Sequence, residues 1–134
     1  MTRAIELYHD DPESRVGHLD QLRSRLQAQL SDAIPGIVIN GAGAPRVPHT
    51  LNVSFPGVNR QALLMAADFN GLAISTGSAC ASGSSEPSPV LVAMAADEQV
   101  VEGSIRISLG VPTTGEEIDL AAAKIIKICR DLQG

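Results

Sequence analysis

The sequence predicts an α+β fold, one small sheet with helices mainly on one face. Three observations carry this. Leu51, Val53 and Phe55, and later Ile105, Ile107 and Leu109, alternate with polar residues, the period of strands buried on one side. From about Ser14 to Ala33, and again after Thr114, apolar residues recur at helical spacing instead. The 134 residues are enough for one domain with a real core.

Residues 1–13, with His9, Asp10, Asp11 and Pro12, read as a lead-in, and residues 14–134 as the domain. In the first helix Leu19, Leu22, Leu26 and Leu30 form the inward stripe, Arg15, Asp20, Arg23 and Arg25 fall off it, and Pro35-Gly36 ends it. Ile37, Val38 and Ile39 make a short β-branched strand. The Gly-x-Gly that follows, from Gly41 to Gly43, is too short and badly placed for a dinucleotide fingerprint and reads as a turn. The strand through Leu51 closes at Pro56-Gly57. Asn59 caps the next helix, where Leu63, Leu64, Ala67 and Phe69 supply apolar surface. Asn70-Gly71 stops that helix, with glycine at the left-handed position. Leu72 to Ser75 is a further short strand.

Ser88 then caps a helix beginning at Pro89, with Val90, Leu91 and Met94 turned inward. Arg106 projects from the face of its strand opposite Ile105, Ile107 and Leu109. Thr114 and Glu117 form a capping box for the last helix, whose stripe is Ile118, Ala122, Ile125, Cys129 and Leu132. Cys129 therefore reads as a buried structural thiol.

The chain is organised around Ser75 to Ser88, a run of small residues holding one thiol, Cys80. Gly77 and Gly83 leave the backbone there free to move, and the serines and alanines have no bulk with which to bury a side chain. Spacing alone leaves two readings of Cys80, an incidental cysteine in a polar loop or an exposed nucleophile. Alternation alone likewise leaves Arg106 as a solvated edge-strand arginine or as a binding group.

The neighbouring motifs narrow both choices. Ser-Thr-Gly-Ser-Ala-Cys-Ala-Ser-Gly-Ser, followed by Glu86-Pro87-Ser88, closely resembles the catalytic loop of cysteine desulfurases, the NifS-like branch of the class V aminotransferases. Leu51-Asn-Val-Ser-Phe-Pro-Gly57 lies before it, and Ser104-Ile-Arg-Ile-Ser-Leu-Gly110 and Thr113-Thr-Gly-Glu-Glu-Ile-Asp119 lie after it, in the family's order. The resemblance runs from about Arg15 to the C-terminus and implies the C-terminal small domain of a fold-type I transferase that uses pyridoxal phosphate. It implies that Cys80 takes sulfur from L-cysteine as a persulfide, giving L-alanine, for an acceptor such as an iron–sulfur scaffold protein. Only the thiolate is reactive, and free cysteine has a pKa of about 8.5, so local assistance is expected. The resemblance also implies that Arg106 binds the substrate carboxylate, for which a planar guanidinium fork is suited.

One absence qualifies this. Such an enzyme holds its cofactor on a lysine, and the two lysines here, Lys124 and Lys127, lie on the last helix outside any matching motif. The cofactor site is therefore expected in a larger N-terminal domain, with no cofactor bound by this chain and no turnover by it alone. Full-length members of the family form homodimers largely through that large domain. Val111-Pro112 stands where the family often has Arg-Phe, and Glu102-Gly103 where a His-Ser-like pair is more usual.

Composition excludes other classes. A net charge of −5, with two Phe and one Tyr, provides neither basic patch nor stacking platform, so no nucleic-acid partner is expected. No apolar run suggests a membrane span or signal peptide, and two cysteines make no disulfide framework, so a reducing cytoplasm is expected. No metal site is expected; His9 and His18 read as solvent-facing, His49 and Asn52 receive no chemistry, and Glu86 reads as favouring the dipole of the helix at Ser88. Two other functions stay open: a selenocysteine lyase-like domain, and a non-catalytic binding module. An exposed apolar face would favour docking to a large domain over an independent module.

Overall fold

Alternation along two strands builds the centre of the molecule. In the structure, a computed structural model that describes residues 11–76, 87–94 and 96–134, strands β1 (Val38–Ile39), β2 (Thr50–Ser54) and β3 (Ser104–Ser108) form an antiparallel sheet in the order β1-β2-β3. In the β2–β3 register Leu51 faces Ile107 and Val53 faces Ile105, which collects the apolar side chains on one face. Asn52 faces Arg106 and Ser54 faces Ser104, which collects polar ones on the other. The three long helices belong to the apolar side: α1 (Pro12–Ala33), α2 (Arg60–Phe69) and α5 (Gly115–Gln133) share one core with Leu51, Val53, Ile105 and Ile107. This is the α+β arrangement that the sequence predicts.

The helix ends follow the capping residues. Asp11 accepts from the Ser14 amide at 3.2 Å and Pro12 occupies the first turn, so α1 begins at Pro12, ahead of the start expected near Ser14. The Asn59 side chain accepts from the amides of Gln61 and Ala62, and Gly71 takes φ 70° beyond α2. Thr114 and Glu117 form the expected capping box on α5. Asp119 on α5 accepts from Arg25 and Gln29 on α1; these bonds, that of Gln29 foremost, hold its carboxyl below the ordinary value.

Several expectations need correction. Arg23 is not off the buried stripe: it is 8% exposed, pairs with Asp20, and donates to the Val47 carbonyl at 3.0 Å. Its stem covers the leucine seam while its head ties α1 to the loop before β2. Phe69 supplies no core surface and is 87% exposed. It lies two residues beyond the inward Ala67, which at 3.6 residues per turn is the opposite side of α2. In α3 (Pro89–Ala93) only Leu91 is buried, while Val90 and the following Met94 face out, because a helix of five residues has room for little more than one inward position. Leu132, at the end of α5, is 39% exposed rather than part of the buried stripe. Leu72 to Ser75 adds one bridge to β3 rather than a strand. The short helix α4 (Glu98–Glu102) is absent from the sequence reading, since five residues cannot establish a period.

Candidate functional site

Arg106 sits mid-way along β3, and its backbone is held on both sides. Its amide donates to Ser75 at 2.7 Å and its carbonyl accepts from the Ser75 amide at 3.0 Å, while Asn52 is its partner on β2. Alternation sends its side chain to the polar face, as expected. There a cleft of about 220 Å³ is lined by Asn52, Ser104, Arg106 and the segment Ser88–Leu91. Arg106 is the only charged residue among these, in a protein of net charge −5. The half-buried guanidinium has no acidic partner among the described residues. A partly desolvated cation with no counter-ion among the described residues favours an anion in the cleft.

The cleft is framed by hydrogen bonds. Asn40 donates through Nδ2 to Asn52 Oδ1 at 2.7 Å and to Ser54 Oγ at 2.8 Å, and its amide donates to the Asn52 carbonyl at 3.0 Å. Ser104, which lines the cleft, donates through Oγ to the Val101 carbonyl on α4 at 3.0 Å. Arg60, 4% exposed, pairs with Glu102 at 3.2 Å and fixes α2 to the end of α4. Neither Asn52 nor Asn40 carries a chemical role in the sequence pattern alone. Alternation was the available signal for Asn52, but that it faces Arg106 depends on register, which a single strand pattern does not reveal.

Cys80 and Glu86 lie outside the described residues, as does His9. His18 is exposed, and its Nε2 lies 3.0 Å from the Thr113 carbonyl. His49 is exposed and lines a separate apolar hollow of about 280 Å³ with Val16, Leu19, Val47 and Val111. Cys129 is buried as expected, and burial pushes its thiol up to about 12, so it is inert at neutral pH. Lys124 donates to the Asn70 carbonyl at 2.7 Å and Lys127 pairs with Asp131 at 2.5 Å. Among the described residues no His, Cys, Asp and Glu cluster could hold a metal, and no helix is long and apolar enough to cross a membrane.

Comparison with known proteins adds the family. The family model described as aminotransferase class-V matches residues 2–120. The chain belongs to this family. Among its class V relatives, a cysteine desulfurase IscS of Pseudomonas aeruginosa is 46% identical over 133 residues, 99% of this chain and 32% of the relative. A cysteine desulfurase of Klebsiella pneumoniae is 42% identical over 108 residues, 81% of this chain and 27% of the relative. A solved NifS-like protein superposes with a TM-score of 0.80 at 32% identity, covering 97% of this chain and 32% of that one. The chain thus spans about a third of the length of the curated relatives it matches.

Proposed function

We propose that residues 14–134 act as the C-terminal small domain of a cysteine desulfurase. Arg106 binds the carboxylate of L-cysteine, and Cys80 takes the substrate's sulfur as a persulfide, with L-alanine as the other product. The sulfur then passes to an acceptor protein such as an iron–sulfur scaffold, in the cytoplasm. The observation that carries this reading is the cleft on the polar face: among the described residues that line it, one is charged, an arginine without an acidic partner among the described residues. The cysteine desulfurase names of the relatives support it.

Pyridoxal phosphate, which the family reading calls for, finds no holder among the described residues. Lys124 and Lys127 are on α5, which packs with the apolar side of the sheet, whereas Arg106 is on the polar side. The cofactor is accordingly assigned to a large domain that this chain docks against, the part that also makes the homodimer. Exposed Val16, Val47 and Val111 around the apolar hollow suit such docking better than an independent module. By itself the chain is expected not to turn over L-cysteine.

Intact-mass measurement after incubation with L-cysteine and pyridoxal phosphate tests this. We expect no gain for the chain alone, a gain of one sulfur when a separately expressed desulfurase is added, and none in Cys80→Ala. No gain in either condition would overturn the role of Cys80. A gain without a partner enzyme would overturn the assignment of the cofactor to another domain.

A further inference from the structure

The polar face offers more than one donor to an anion. We infer that Asn52 is the second donor of the carboxylate site, with Asn40 as the residue that positions it; this rests on the reading of Arg106 as the carboxylate-binding group. Asn52 and Arg106 are direct partners across β2 and β3 and line the same cleft. Side chains directly opposite on one face of an antiparallel pair have Cβ atoms about 4.5–5.5 Å apart. One small anion can touch both.

The orientation of the Asn52 amide follows from its neighbour. Its Oδ1 is occupied by Asn40 Nδ2 at 2.7 Å, and the same nitrogen is held by Ser54 Oγ at 2.8 Å. Asn40 is itself fixed, because its backbone amide donates to the Asn52 carbonyl at 3.0 Å. With the oxygen so committed, the Asn52 NH2 group remains for the cleft, and among the described residues it donates to nothing. An ionised carboxylate has two oxygens with about four acceptor sites. The guanidinium fork satisfies one edge, and the Asn52 NH2 reaches a further lone pair. Being neutral, Asn52 adds a donor without offsetting the charge of Arg106, which an aspartate there would do. The expected consequence is selectivity for ligands with a free α-carboxylate over their amides.

The test is a titration of the whole chain with L-alanine and, separately, with L-alaninamide, followed through the side-chain ¹⁵N–¹H resonances of Asn52 Nδ2 and Arg106 Nε. We expect L-alanine to move both resonances and L-alaninamide to move neither strongly. Asn52→Ala should weaken L-alanine binding by about tenfold, in line with a hydrogen bond to a charged group. Asn40→Ala should diminish the L-alanine-induced shift of Asn52 and narrow the preference for acid over amide, while the backbone resonances of Val53 and Ile105 stay in place. A merely structural Asn40 would leave that preference unchanged. If Arg106 responds while the Asn52 resonance is silent and Asn52→Ala binds normally, the inference falls and the reading of Arg106 stands. If Arg106 does not respond either, both fall. Should Asn52→Ala fail to fold, the wild-type Asn52 resonance decides alone.

Discussion

Gly103→Ala is the substitution whose cost the structure defines best. A Cβ on Gly103 would lie 2.2 Å from the Phe55 carbonyl oxygen and 2.7 Å from its carbon, closer than the 3.0 Å that real Cβ atoms essentially never breach. Both are backbone atoms, so no rotation of a side chain relieves the overlap. The strands must part locally, at the point where the Phe55 amide donates to the Gly103 carbonyl at 3.0 Å. Losing that bond and leaving buried groups unpaired costs about 1–3 kcal/mol. Overpacking beside fully buried Phe55 adds about 1–3 kcal/mol. A total of roughly 2–6 kcal/mol lowers Tm by about 7–21 °C in a domain of this size, at about 3.5 °C per kcal/mol. Thermal melts followed by circular dichroism, with urea unfolding to check that m is unchanged, measure it. Gly43→Ala is the control, since no atom lies within 4 Å of its added Cβ. A loss in Gly103→Ala of less than about 3 °C would refute the reasoning and mean that β2 and β3 separate at little cost.

Three further outcomes are expected. In Cys80→Ala, Cys129 should stay unlabelled by a thiol reagent at pH 8 until the protein is unfolded. Because its thiol is raised from 9.0 to about 12, the unfolded state alone ionises between those values, so stability should fall as pH rises from 9 toward 12 in wild type and fall less in Cys129→Ala. Asp119→Asn should flatten the acid limb of the stability curve. The wild-type carboxyl lies below its ordinary 3.8, so its contribution is present above that value and lost as pH falls through it; urea midpoints between pH 5 and pH 2.5 would reveal this. Phe69→Ser should change stability by no more than about 0.5 kcal/mol, as for other exposed positions, whereas a core phenylalanine would cost several times more.

What the sequence made legible was periodic. The leucines of α1, the alternation in β2 and β3 and the caps at Asn59, Ser88 and Thr114 all announce themselves, because each depends on residues adjacent or one turn apart. What it hid depends on partners distant in the chain. Arg23 looks solvated until the Val47 carbonyl, 24 residues away, is found beside it. Phe69 looks like core until the rotation of α2 is fixed by Leu63 and Ala67. Asn40 and Asn52 look like unremarkable turn and strand residues until register sets Asn52 opposite Arg106. The face on which Arg106 sits was legible, because alternation alone sets it. Cys80 lies outside the described residues.

The pairing of β2 with β3 also acts as its own proofreader. Sliding one strand by a single position would flip every side chain to the other side. Arg106 or Asn52 would then be driven among Leu26, Leu30 and Ile125, at a cost of several kcal/mol per buried unpaired group, while an isoleucine or valine turned outward. A chain that has formed its oily interior has therefore already aimed its arginine and asparagine correctly. No separate step is needed to assemble the proposed carboxylate site, and a mispaired intermediate would betray itself by failing to close the interior at all.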